Sequence, residues 1–157
     1  MADGVTGTRA IAIVGPGGAG KTSLAEALLL AAGAIDRVCL ASFSHARLRR
    51  ARSIVPHAAT SFSPREAARL KLAPSWAQGR SGGVCVQVPR RTRGLTVVNS
   101  RFVERAHARG LQVHVWTVDD PGEMNDLLDL GVDGIVSDRI DLLRDILIAR
   151  GKWEGTT

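Results

Sequence analysis

Short apolar runs alternate with amphipathic segments along almost the whole chain, and glycine or proline stands at most of the changeovers. The first run, Ala10-Ile11-Ala12-Ile13-Val14, predicts a buried strand. Behind it Leu24, Ala27, Leu28 and Ala31 fall on one face of a helix over residues 21–32, which Gly33 closes. The pattern then restarts. A strand is expected over 38–42, followed by a helix over 45–53 whose Arg47, Arg49, Arg50 and Arg52 should lie mostly in solvent, and Pro56 ends it. After a short strand at 58–60, the run Ser63-Pro64-Arg65-Glu66 has an N-cap hydroxyl, proline at the first helical position and glutamate at the third, which marks a helix start.

Residues 73–83 (APSWAQGRSGG) read as a connection, 84–88 as a strand, 89–94 as a basic loop and 99–109 as a helix stopped by Gly110. The β-branched run at 113–118 is the strongest strand signal in the chain. Asp120 caps a helix predicted over 121–130, Gly131 ends it, and a strand at 134–137 and a helix at 140–150 complete the series before a polar tail. Strand and helix in strict alternation, joined by short connections, predict an α/β fold with parallel strands and right-handed crossovers.

Composition adds boundaries. A chain of 157 residues with 45% hydrophobic and 23% charged residues can bury a core as one ordinary domain. No apolar run approaches the roughly 18 residues that span a bilayer, and the N-terminus lacks the basic start and small-residue cleavage site of a secretory signal. A cytoplasmic location is the expectation. Cys39 and Cys85 each sit in a strand-like run without a CxxC or His/Cys cluster beside them, which predicts buried free thiols. The net charge of +6 divides unevenly, for residues 37–110 carry +13 and residues 111–157 carry −6. The basic block is nearly all arginine, scattered over helices and loops without interleaved aromatics, so no nucleic-acid partner is expected.

Chemistry enters first at Gly15-Pro16-Gly17-Gly18-Ala19-Gly20-Lys21-Thr22. The Gly-x-x-x-x-Gly-Lys-Thr pattern is complete, between a strand and a helix, as a phosphate loop requires. Gly15 and Gly20 would let backbone N–H groups wrap the phosphates, Lys21 would reach the β and γ oxygens, and Thr22 would hold Mg²⁺. The stretch at about 8–35 resembles the opening of elongation factor G-like translational GTPases, which implies a Mg-nucleotide as ligand. Asp119-Asp120-Pro121-Gly122 meets the Asp-x-x-Gly form of a magnesium-side switch, but no Asn-Lys-x-Asp base-reading element occurs in the chain.

From about Asp36 onward the chain resembles the C-terminal half of the glycerophosphodiester phosphodiesterases. The matching stretches are VCLASFS (38–44), FVERAHARG (102–110), HVWTVDDPGEM (114–124) and LGVDGIVSDRIDLLRDIL (130–147). The resemblance implies a TIM barrel, of which the last four βα units and one extra short strand fit here, since a whole barrel needs about 250 residues. It implies hydrolysis of glycerophosphodiesters to glycerol 3-phosphate and an alcohol, with two histidines as acid and base and a divalent metal, Mg or Ca, held by carboxylates. The His-Arg-Gly and acidic motifs that supply those groups in the family do not occur in this sequence, so no catalytic residue and no metal ligand is assigned. His45, His57, His107 and His114 are read as structural or surface residues.

What the resemblance leaves is a substrate-facing wall. Ser42, Phe43 and Trp116, at the C-terminal ends of strands, would touch the glycerol or alcohol moiety, although Trp116 fits a core position equally well. Asp138 and Arg139 read either as a barrel-closing pair or, for Arg139, as a phosphate contact. The expected architecture is therefore a P-loop strand-helix unit over 1–35 and a partial TIM barrel over 36–157, in a truncated or chimeric phosphodiesterase-family protein. Half a barrel exposes strand edges, which predicts a homo-oligomer.

Overall fold

The computed structural model describes residues 39–73 and 82–153. The phosphate-loop unit, with Gly15, Gly20, Lys21 and Thr22, and the boundary near residue 36 lie outside the described residues.

The chain runs β1 (Cys39–Leu40), α1 (His45–Ile54), β2 (Ala59–Thr60), α2 (Pro64–Leu72), β3 (Cys85–Val88), a hairpin of β4 (Arg91–Thr92) and β5 (Leu95–Thr96), α3 (Ser100–His107), β6 (Gln112–Val115), α4 (Pro121–Asp129), β7 (Gly134–Ile135) and α5 (Ile140–Ala149). Each element begins where local chemistry allows it. Ser44, Ser63, Asn99 and Asp120 accept N–H bonds at the starts of α1, α2, α3 and α4. At α2 the capping box is complete, with Ser63 N–H donating to Glu66 Oε2 at 2.7 Å. Gly110 and Gly131 take φ values of 68° and 82° behind α3 and α4, where a side chain would be strained.

The strands β1, β2, β3, β6 and β7 lie side by side in chain order. β1 pairs with β2, β3 with β6, and β6 with β7, all parallel, and a Ser61↔Cys85 bridge joins β2 to β3. The result is a partial βα barrel of five units. It exceeds the expected four because the short strand at Ala59 is followed by its own helix and makes a full repeat. The loop expected at 89–94 is instead an antiparallel hairpin, turned at Arg93 and Gly94 with φ values of 47° and 78°. Positive φ at both central residues matches the twist of the flanking strands.

Alternation along the strands divides the side chains. Val86, Val88, Val113 and Val115 face outward and are buried under Leu70, Phe102, Ala106, Met124, Leu127 and Leu143 from the helices. This sheet-to-helix layer is the hydrophobic core. Arg52, expected in solvent, turns inward instead. Its Nη1 donates to Glu66 Oε1 at 2.7 Å, its Nε to Thr60 Oγ1 at 2.9 Å and its Nη2 to the Ser61 carbonyl at 3.1 Å. One guanidinium thereby fastens α1 to β2 and α2.

Candidate active-site cleft

The three side chains expected to contact substrate come from two turns of the chain that are far apart in sequence, and line one cleft. Ser42 and Phe43 follow β1, Trp116 follows β6, and all three border a cavity of about 680 Å³ together with Phe62, Gln87 and Lys71. The cleft opens at the C-terminal ends of the parallel strands, where a βα barrel gathers its functional loops. Trp116 meets Phe43 edge to face, with ring centroids 5.9 Å apart. Trp116 thus stands on the wall of the cleft. Ser42 Oγ accepts the Ser44 N–H at 3.1 Å, which shapes the turn that presents Phe43.

The walls are mostly apolar, and Leu95 from the hairpin adds to them. Lys71 brings the cleft's cation, but its ammonium donates to the carbonyls of Thr96 and Val97, the latter at 2.9 Å, and so anchors the strand leaving the hairpin. A hard divalent cation wants several carboxylate or carbonyl oxygens. The cleft lining includes no carboxylate, and among the described residues no group of three His, Cys, Asp or Glu side chains is placed to hold a metal. The donors present do not fit the family's metal.

One layer beneath the cleft the structure assembles a cluster that the sequence did not announce. Cys39 from β1 and Cys85 from β3 bring their sulfurs to 3.4 Å, across the intervening β2. His114 of β6 stands beside Cys85 and lies 3.4 Å, Nδ1 to Nε2, from Gln87. The hydrogen bond from Cys39, aided by His114 and Ser61, holds the Cys85 thiol well below its ordinary range against the opposing effect of burial. Cys39 is pushed up, first by its hydrogen bond to Cys85 and then by the partial burial of its sulfur against that partner, although the residue as a whole is exposed. His114 is raised, first by its hydrogen bond to Cys85, with burial working the other way. Both thiols are free, as expected, but only Cys85 is buried, and Cys39 is exposed. The signal available in the sequence was the two-residue offset that puts Cys85 on the face of Gln87 and His114 on the face of Trp116. Gly134 completes this layer, for a Cβ there would stand 2.8 Å from the His114 ring.

The remaining candidates take structural places. Asp119 Oδ1 accepts from Ser137 Oγ at 2.9 Å and from the Asp138 N–H at 2.8 Å, so the Asp-x-x-Gly stretch ties the β6 loop to the β7 loop. Asp120 is the cap of α4. Arg139 pairs with Asp141 at 2.8 Å and not with Asp138, because Asp141 opens the first turn of α5 within reach of it. His45 Nδ1 lies 2.9 Å from Ser63 Oγ, and His107 Nε2 lies 2.8 Å from Asp133 Oδ2.

Comparison with known proteins agrees with this geometry. Residues 22–142 match the glycerophosphoryl diester phosphodiesterase family model. The chain belongs to this family. The match begins at Thr22, ahead of the boundary near residue 36 expected from the sequence. "Probable glycerophosphodiester phosphodiesterase 2" of Mycobacterium tuberculosis is 45% identical over 128 residues, covering 76% of this chain and 48% of that protein. The chain thus spans about half the length of this curated relative. Among solved structures, a putative glycerophosphoryl diester phosphodiesterase from Silicibacter pomeroyi DSS-3 superposes with a TM-score of 0.63 at 25% identity, over 83% of this chain and 44% of that one. A putative glycerophosphodiester phosphodiesterase from Galdieria sulphuraria gives a TM-score of 0.64 at 23% identity, over 83% and 51%, and shares the fold. Among the described residues no helix is long and apolar enough to cross a membrane.

Proposed function

We propose that this chain forms the substrate-binding wall of a glycerophosphodiester phosphodiesterase site, with Ser42, Phe43 and Trp116 against the glycerol or alcohol moiety. The observation that carries the reading is their convergence on one cleft at the C-terminal ends of parallel strands. Apolar and aromatic walls suit the carbon skeleton of such a substrate, and Ser42 supplies a hydroxyl for an alcohol oxygen. Hydrolysis to glycerol 3-phosphate and an alcohol further requires an acid, a base and carboxylates for Mg²⁺ or Ca²⁺, and this sequence lacks the family motifs that provide them. The chain by itself is therefore a binding element of the reaction.

Titration with glycerophosphocholine, followed by NMR, tests this. Shifts confined to the Phe43 and Trp116 rings and weakened by Trp116→Ala are expected, while turnover with Mg²⁺ or Ca²⁺ stays undetectable. Turnover that survives rigorous purification overturns the non-catalytic part of the reading; ligand shifts unaffected by Trp116→Ala overturn the placement of the site.

The complete phosphate-loop pattern carries a second reading, Mg-nucleotide binding through Gly15, Gly20, Lys21 and Thr22. Titration with labelled GTP and ATP decides it, since Lys21→Ala must abolish any binding observed.

A further inference from the structure

We propose that Cys39 and Cys85 form a dithiol modification site in the barrel interior, which a hydroperoxide converts to an intramolecular disulfide linking β1 to β3. The inference is independent of what the cleft above binds.

Three observations carry it. The two sulfurs lie 3.4 Å apart and both are free. Cys39 is exposed while Cys85 is 1% exposed, so a small peroxide reaches the Cys85 sulfur from the open Cys39 side of the pair. The third is the surroundings of Cys85, where the Cys39 thiol hydrogen-bonds its sulfur and the neighbouring His114 and Ser61 favour a thiolate there. A thiolate is the nucleophile in sulfur oxidation, and a neighbouring thiol resolves the first product. Ordinary buried cysteines have neither.

The chemistry balances with a hydroperoxide as oxidant. The Cys85 thiolate attacks the outer peroxide oxygen, the O–O bond breaks, and an S–O bond forms to give the sulfenic acid. The departing alkoxide, or hydroxide from hydrogen peroxide, takes the proton from the Cys39 thiol. The resulting Cys39 thiolate attacks the sulfenic sulfur, forming S–S and breaking S–O. The hydroxide released takes a proton from the imidazolium of His114 and leaves as water. Two electrons pass from the thiols to the peroxide. Closing the bond needs the sulfurs to approach from 3.4 Å to about 2.05 Å, a movement that draws β1 toward β3 over β2. Ser42 and Phe43 follow Cys39 by three and four residues, so the bond forms directly beneath the cleft mouth.

The experiment treats the full chain with stoichiometric hydrogen peroxide at neutral pH, then counts free thiols and maps linkages by mass spectrometry. The wild type is expected to lose both thiols together, to show a Cys39–Cys85 linkage within one chain, and to recover both with dithiothreitol. Cys39→Ser should stop at a Cys85 sulfenic acid that dimedone captures. His114→Gln should retain the linkage but move the pH midpoint of the oxidation rate upward, a change that a purely structural role would not produce. Circular dichroism of each near-isosteric variant checks that the fold is kept. The proposal is overturned by linkages only between chains, by independent oxidation of the two thiols to sulfinic acids, or by dimedone capture at Cys85 that is equal in wild type and Cys39→Ser.

Discussion

Phe43 and Trp116, brought from β1 and β6, meet edge to face at 5.9 Å with their ring planes 81° apart. Phe43 is nonetheless 80% exposed, so the contact contributes little burial and holds the two rings as a wall. Such pairs contribute about 0.5–1.5 kcal/mol beyond area burial. A double-mutant cycle of Phe43→Ala and Trp116→Ala in urea unfolding should return a coupling in that range. Phe43→Ala alone should lose little more stability than that coupling, because Phe43 is mostly exposed, while weakening glycerophosphocholine binding by roughly tenfold, or about 1.4 kcal/mol. Equal binding by the variant would remove Phe43 from the site.

Arg52 and Glu66 form a multiply connected charged pair, since the same guanidinium also reaches Thr60 and Ser61. Both side chains are largely buried, at 18% and 10% exposure. Removing one partner of a buried pair leaves the other charge uncompensated, at a cost of about 3–5 kcal/mol. Arg52→Ala should therefore lose about 3 kcal/mol in urea unfolding. Arg52→Lys should recover only part of that, because an ammonium cannot span the carboxylate and the Ser61 carbonyl at once. A loss within the roughly 0.5 kcal/mol of ordinary surface substitutions would count against the staple.

Glu66 also links stability to acidity. Burial pushes its carboxyl up, but the Arg52 guanidinium, the Ser63 N–H and the Ser63 hydroxyl outweigh burial and hold it below the usual range. A folded-state value below the unfolded one means that the stabilisation is fully present above the ordinary glutamate value of about 4.3 and is lost as pH falls through the folded value. Stability of the wild type should fall with acidification from about pH 5 downward. Glu66→Gln should be less stable at neutral pH and show a flatter acid limb. An unchanged acid limb would assign the loss to other carboxylates, of which Asp133 is the first to test.

Exposed apolar side chains remain on the partial barrel, Val136 beside the inner face of β7 and Val84 at the start of β3 among them, at 51% and 47%. Among the described residues β1 and β7 are the outermost strands of the parallel sheet. Unpaired strand edges and exposed apolar surface favour association between copies. Size-exclusion chromatography of this chain should show a species larger than a monomer, shifting with concentration. A clean monomer across the accessible range would mean that the face is covered within one chain.

Much of the fold was legible because its signals are local. Ser63, Pro64 and Glu66 start α2 through bonds that span three residues, and Asp120 starts α4 the same way. The hairpin at 91–96 was missed because Arg93 takes a positive φ without being glycine, so the turn showed only half of its usual signature. Arg52 was misplaced for another reason. A helix of arginines reads as solvated until a buried carboxylate appears opposite one of them, and Glu66 is fourteen residues away.

Apart from the hairpin, the order of strands and helices and their caps were set by the sequence alone, since periodicity and turn chemistry act over short stretches. Only the tertiary structure decided what the strands bring together. Curvature of the parallel sheet carries Cys39 across β2 to Cys85 and places His114 beside it, a meeting of residues 46 and 29 positions apart that no local rule encodes. The same curvature gathers the loops after β1 and β6 around one cleft, because side chains at the ends of strands that are not neighbours converge only when the sheet bends.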